Sequence, residues 1–191
     1  MEQGQHVEKD SRSTMRSWVG FAIMIVVVVG LVALLRTFVF VPYEIPSGSM
    51  EQTIKTGDMV FSEKMSYYFR TPGRGDIVTF NDPEVAGRTL IKRVIAVGGQ
   101  TVDLIDGSVY VDAQKLDEPY TSGKESYPLS HTASGVDVTF PYTVPEGHLW
   151  VMGDNRTASQ DSRYFGSIPV DSVTGRAAMI YWPFNDFTLL S

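Results

Sequence analysis

The chain has 191 residues, 43% of them hydrophobic and 20% charged, with a formal net charge of −6. That length holds one ordinary domain plus an anchor, and the acidic balance argues against a nucleic-acid partner, which needs a basic face. Cysteine is absent and the histidines are His6, His131 and His148 alone, which excludes disulfides, thiolate metal sites and a cysteine nucleophile and leaves few imidazoles for catalysis.

Residues 1–17 are polar, with Lys9, Arg12 and Arg16 set against Glu2, Glu8 and Asp10, and read as a disordered tail. From Trp18 to Leu35 every residue is apolar or glycine. At 1.5 Å per residue this run reaches ~27 Å, close to the hydrocarbon thickness of a bilayer. Its β-branched centre, Ile25 to Val29, makes poor helix in water, but in lipid only a closed hydrogen-bond pattern is tolerated, so a helix is expected. Trp18 and Arg36 suit the two interfaces, which places the span at 18–36. A cleaved leader would carry small residues after its apolar core; Arg36-Thr37-Phe38-Val39-Phe40 does not. Three cations precede the span and only Arg36 follows it before Lys55. The expectation is a single-pass protein of the cell membrane, with a cytoplasmic N-terminus and its body, 37–191, outside.

The body reads as mainly β. Predicted strands are Phe38–Ile45, Asp58–Ser62, Asp76–Phe80, Leu90–Val97, Thr101–Ile105, Ser108–Val111, Val136–Phe140, Leu149–Met152 and Ala177–Trp182, short and rich in β-branched and aromatic residues. Asp106-Gly107 between two alternating runs signals a tight hairpin. Residues 112–140, polar and rich in Ser and Thr from Pro119 to Gly135, are expected to form a surface excursion.

Three stretches carry chemistry. Ile45-Pro46-Ser47-Gly48-Ser49-Met50 offers two hydroxyls, either of which could be a nucleophile if a base were found for it. Lys92 lies in Thr89–Val97, an otherwise nearly apolar strand, where alternation sets it on a face with Leu90, Val94 and Ala96 while Arg93 points away. A lysine buried there loses hydration and basicity and could take a serine proton; the same pattern also fits a lysine whose head reaches water. Met152 to Gly166 packs Asp154, Asn155, Arg156, Ser159, Asp161 and Arg163 between a strand and a turn, as a solvated loop or as a rigid support for a site.

Together these blocks resemble bacterial type I signal peptidase: Pro46-Ser47-Gly48-Ser49-Met50 its nucleophile box, Lys92-Arg93-Val94-Ile95 its lysine box, and Gly153-Asp154-Asn155-Arg156 through Asp161-Ser162-Arg163-Tyr164-Phe165-Gly166 its C-terminal box. The resemblance runs from about Phe38 to Phe184. It implies a signal-peptidase/LexA-like β-fold and a Ser–Lys dyad. Ser49 would be the nucleophile and Lys92 the general base. Ser47, with the Ser49 N–H, would hold the oxyanion, and Ser159 would hydrogen-bond and orient the Lys92 amine. Asp154, Arg156, Asp161 and Arg163 would brace the site, and Tyr43, Ile45, Ile54, Leu90 and Ile91 would line shallow substrate pockets. The partners implied are signal peptides of secreted preproteins, cut after small residues, together with membrane lipid. No metal and no cofactor is implied. The chain departs from the family pattern after the lysine box, where Ala96 and Gly98-Gly99-Gln100 stand in place of Gly and a Pro-Gly-Asp turn. Other readings are a LexA-type self-cleaving protease, against which the membrane span argues, a relative that only binds peptides, and an adhesion module suggested by Arg74-Gly75-Asp76.

Overall fold

The structure, a computed structural model, describes residues 11–38 and 40–190, with side chains over 16–33 and 40–190. The chain divides into two units, 1–39 and 40–191. Among its described residues the first holds one helix, α1 (Ser11–Phe38), which contains an 18-residue window, Arg16–Ala33, of mean hydropathy 2.2, long and apolar enough to cross a membrane. Its described side chains are exposed all round. The helix starts well before Trp18, so the expectation of an unstructured tail up to Ser17 is corrected: nothing between Ser11 and Trp18 is Gly or Pro, and once nucleated a helix extends at little cost through the residues present. Residues 1–10, and the side chain of Arg36, lie outside the described residues.

The second unit is built from antiparallel strands. One sheet runs in the order β1 (Phe40–Glu44), β2 (Met59–Glu63), β11 (Val173–Trp182), β3 (Ile77–Asn81), β4 (Thr89–Val97), β9 (His148–Met152), β10 (Ile168–Pro169), with β12 (Thr188–Leu189) paired to β11. A smaller sheet runs β7 (Gln114–Lys115), β6 (Ser108–Val111), β5 (Thr101–Ile105), β8 (Tyr142–Thr143). The β5–β6 hairpin closes through Asp106 and Gly107, both at positive φ (48° and 76°), the conformation that two-residue hairpin turns demand. Two short helical turns complete the unit, α2 (Ser66–Phe69) and α3 (Ser162–Phe165).

The core falls into three clusters. One gathers Ile45, Met50, Ile54, Val60, Ile77, Ala177, Ile180 and Leu190. A second centres on Val78, Phe80, Val94, Val151 and Phe165. The third surrounds Trp150 with Ile95, Ala96, Val102, Val109 and Val111 and joins the smaller sheet to the larger. Strand β4 touches all three, through Ile91, then Leu90 and Val94, then Ile95 and Ala96. A register shift against β9 between Val94 and Ala96 lets the consecutive residues Ile95 and Ala96 both enter the third cluster.

The strand expected over Val136–Phe140 is not formed. Val138 and Phe140 still bury against the third cluster, but Tyr142–Thr143 take the ladder beside β5, and Pro141 between them has no N–H to donate.

Candidate active site

Ser49 sits on a single 3-10 turn, Gly48–Met50. Met50 is fully buried in the first cluster and its carbonyl accepts the N–H groups of Thr53 and Ile54, so an apolar anchor holds the turn. Lys92 stands in mid-strand on β4, paired with Val78 of β3. The two meet: Lys92 Nζ lies 2.8 Å from Ser49 Oγ and donates to the Ile91 carbonyl at 2.9 Å. Lys92 is 3% exposed and Ser49 8%. The head of Lys92 is therefore buried rather than in water, which decides between the two readings the strand pattern left open.

Burial pulls the Lys92 amine from its ordinary 10.5 down to about 8. The carboxylates of Asp161, Asp154 and Asp82 pull the other way, and the Arg88 guanidinium adds to the lowering. At pH 7 about one amine in ten is then neutral, and a neutral amine can accept the Ser49 proton along the same 2.8 Å contact. The dyad opens on a cleft of about 420 Å³ walled by Ser47, Glu51, Arg88, Leu90, Ala158 and others. A larger groove, about 520 Å³, lies between residues 71–74, 97–100 and 146–149; it holds Arg74, Glu146 and His148 but no buried nucleophile.

Ser47 is exposed at the cleft and its hydroxyl makes no capping bond to the turn. The bond expected from Ser159 to the Lys92 amine is not made, and Ser159 Oγ is buried without a hydrogen-bond partner. Of the five expected pocket residues the cleft wall takes Leu90. Ile45 and Ile54 are corrected to core residues, 3% and 0% exposed, because the turn that presents Ser49 drives them into the first cluster. Ile91 packs on that cluster and Tyr43 is half-buried in β1.

The loop from Gly153 to Gly166 is tied by buried ions. Asp161 accepts the Gly153 N–H at 3.0 Å and takes Arg163 Nε and Nη2 on its two oxygens, each at 2.9 Å. Burial would raise this carboxyl, but the Arg163 bonds and charge, with the Gly153 N–H, outweigh it and hold the group below the usual carboxylate value. Arg163 also donates to the Arg156 and Tyr127 carbonyls. Asp154 receives Arg93 bidentately at 2.9 and 2.8 Å and Thr53 Oγ1 at 2.5 Å. Arg156 donates to the Gly153 carbonyl and forks onto Glu118.

Several of these partners escaped the sequence reading. Arg93 pairs with Asp154, and Tyr120 covers its guanidinium at 4.1 Å. Glu118, Ser126 and the Tyr127 carbonyl all bind loop arginines, so the expected surface excursion is in part a buried arm: Thr121 and Ser126 are 5% and 1% exposed. The physical cause is that buried guanidinium groups must find acceptors, and three arginines in two short segments were the available signal. Asn155, in the same loop, donates from Nδ2 to the Gly48 carbonyl at 2.8 Å.

Gly153 is the other omission. A Cβ there would collide with the Ser159 side chain and the Ser49 carbonyl oxygen. Gly153→Ala is expected to destabilise the domain by about 1–3 kcal/mol, the usual result of overpacking, and to displace the Ser49 turn. Urea unfolding and a turnover assay on the same sample check it; unchanged stability and rate would show that the loop yields freely.

His131 lies against Ser130 and Tyr164, and His148 beside the Glu146 carbonyl; neither lines the cleft that holds Ser49. Asp76 of the Arg-Gly-Asp tripeptide accepts from Arg70, Tyr67 and the Gly73 N–H and is 9% exposed, which is turn chemistry.

The family described as signal peptidase, peptidase S26, matches residues 15–182. The chain belongs to this family. It is 40% identical over 167 residues to "Probable signal peptidase I-1" of Synechocystis, covering 84% of this chain and 80% of that one. It is 36% identical over 225 residues to signal peptidase I of Mycobacterium tuberculosis, covering 90% and 74%. Over 188 residues it is 35% identical to signal peptidase I T of Bacillus subtilis, covering 97% and 96%. Family membership makes the chain a serine endopeptidase of the signal peptidase class with a mainly β domain, and it does not favour the repressor and adhesion readings.

Proposed function

We propose that the chain is a membrane-bound serine endopeptidase that removes N-terminal signal peptides from secreted preproteins, cutting after small residues with a Ser49–Lys92 dyad. The observation that carries this is the 2.8 Å contact between Ser49 Oγ and a buried Lys92 amine lowered to about 8, in a member of the signal peptidase family. The neutral Lys92 Nζ takes the Ser49 proton as Oγ bonds to the scissile carbonyl carbon. The charge that moves onto the carbonyl oxygen is held by the Ser49 N–H and the Ser47 hydroxyl. The lysine ammonium returns its proton to the departing amine, leaving the signal peptide as an ester on Ser49. A water, deprotonated by Lys92 in the same way, releases it as a free carboxylate. Leu90 and Ala158 on the cleft wall suit small apolar side chains, and an extended substrate strand suits a site bordered by β4. Asp154, Arg156, Asp161 and Arg163 keep the loop behind the dyad rigid, and Ser159 packs against Gly153.

The apolar run supports a span at 18–36, and the cation count supports an orientation with residues 1–17 in the cytoplasm and 37–191 outside. Incubating the detergent-solubilised protein with a preprotein and mapping the cut by mass spectrometry tests the reading. A single cut after a small residue, absent with Ser49→Ala, is expected; cleavage that survives Ser49→Ala, or no cleavage of any preprotein, overturns it.

A further inference from the structure

Asn155 ties its own loop and the arm that carries Lys124 to the nucleophile turn. Its Nδ2 donates to the Gly48 carbonyl at 2.8 Å, and its Oδ1 accepts from Lys124 Nζ at 2.6 Å. Its backbone N–H donates to the Ser49 carbonyl at 3.1 Å. Asn155 is 6% exposed and lines the cleft with Ser49 and Lys92. An ammonium can only donate, so Lys124 fixes which end of the amide is oxygen, and Nδ2 is left to face Gly48. The Gly48 carbonyl and the Ser49 N–H are opposite ends of one planar peptide unit. A donor on that carbonyl sets the plane of the unit. By drawing electrons toward the oxygen it also strengthens the N–H at the far end as a donor. The dipoles run head to tail from ammonium to amide to peptide N–H.

We propose that Lys124 and Asn155 are positioning residues that orient and polarise the Gly48–Ser49 peptide, so that its N–H meets the oxygen on which charge develops. This rests on the reading of Ser49 as nucleophile. In that step Oγ bonds to the carbonyl carbon, its proton passes to Lys92 Nζ, and the carbonyl π pair becomes the oxyanion. Lys124 belongs to the arm between β7 and β8, so the connection of the smaller sheet supplies a positive charge to a site on the larger one.

The test compares full-length wild type with Asn155→Leu, Lys124→Met, Lys124→Arg and Ser49→Ala in detergent micelles, on a synthetic peptide spanning a signal-peptide cut. Asn155→Leu, which keeps the shape without the donor, is expected to lower kcat roughly a hundredfold, the effect of an impaired oxyanion donor. Lys124→Met is expected to lower it roughly tenfold, with Lys124→Arg restoring most of the rate. KM and the midpoint of the pH profile should hold. A peptide aldehyde, which adds to Ser49 and places a polarised oxygen at the same point, should lose affinity in step with kcat, while the cleaved product peptide should not. Lys124 is only half-buried, so its variants fold and keep the test open if Asn155→Leu does not. Full kcat in Lys124→Met, a fall shared by product affinity, or a moved pH midpoint would each overturn the relay. Turnover in Ser49→Ala would instead remove the underlying reading, whereas an inactive Ser49→Ala beside unimpaired Lys124 and Asn155 variants would remove the relay alone.

Discussion

Lys92→Met is expected to abolish cleavage, lowering kcat by at least about 10⁴-fold as loss of a dyad member does, while leaving the fold at least as stable as before. The two halves of this expectation have one cause. Lys92 is 3% exposed, a position that costs the folded state the hydration of an ammonium and lowers the amine to about 8. Methionine fills similar volume with no charge to desolvate. The sign is fixed by linkage. The folded amine releases its proton near 8 and the unfolded one near 10.5, so between these values the unfolded chain binds more protons and wild-type stability rises with pH. The stability advantage of Lys92→Met is therefore largest below pH 8 and shrinks as pH climbs to about 10.5. Turnover by the wild type should rise with pH through about 8 and then level, because only the neutral amine can accept the Ser49 proton. Urea unfolding at pH 7 and pH 10 with a pH–rate profile checks both; a flat profile, or a Met variant that cleaves, would contradict the dyad.

Arg163→Met is expected to cost about 3–5 kcal/mol, the usual consequence of leaving one member of a buried ion pair alone, and to slow cleavage with it. Arg163 is 2% exposed and Asp161 0%, and the carboxylate that would be stranded also holds the Gly153 N–H. Adding Asp161→Leu should recover only part of the loss, because the Gly153 N–H is then left unpaired. Asp161 titrates below its ordinary 3.8 in the folded protein, so its contribution is in place above that value and is lost as pH falls through the lower folded one. Wild type should therefore lose stability steeply in acid, and Arg163→Met, in which the pair is already broken, less steeply. Near-UV circular dichroism of the buried Trp150 during urea titration at pH 7 and pH 3.5 reads both effects; equal midpoints for variant and wild type would show the pair to be without weight.

Local pattern was enough for what depends on local pattern. The apolar run that forms most of α1, the β-rich body, the Asp106-Gly107 hairpin and the Ser–Lys pairing were legible because each rests on a run of side chains, a turn dipeptide or a block of residues in order. Val136–Phe140 misled because alternation records which side chains bury, not which backbone pairs. Here the side chains bury and the strand next door takes the ladder. Ile45 and Ile54 misled for a related reason: nearness to Ser49 in sequence says nothing about which side of the turn a side chain faces, and theirs face the core.

The sequence by itself determined a helix apolar enough to span a bilayer and a β-class body, since periodicity and residue type carry those, and its blocks in order singled out Ser49 and Lys92 as candidates. Only the tertiary structure decided that Lys92 is dry and 2.8 Å from Ser49, that Arg93 answers Asp154 across 61 positions of chain, and that the arm from Glu118 to Tyr127 grips the loop behind the dyad. Desolvation and the pairing of buried charges are properties of what surrounds a group in space. No window along the chain contains them, because strands distant in sequence supply the surroundings.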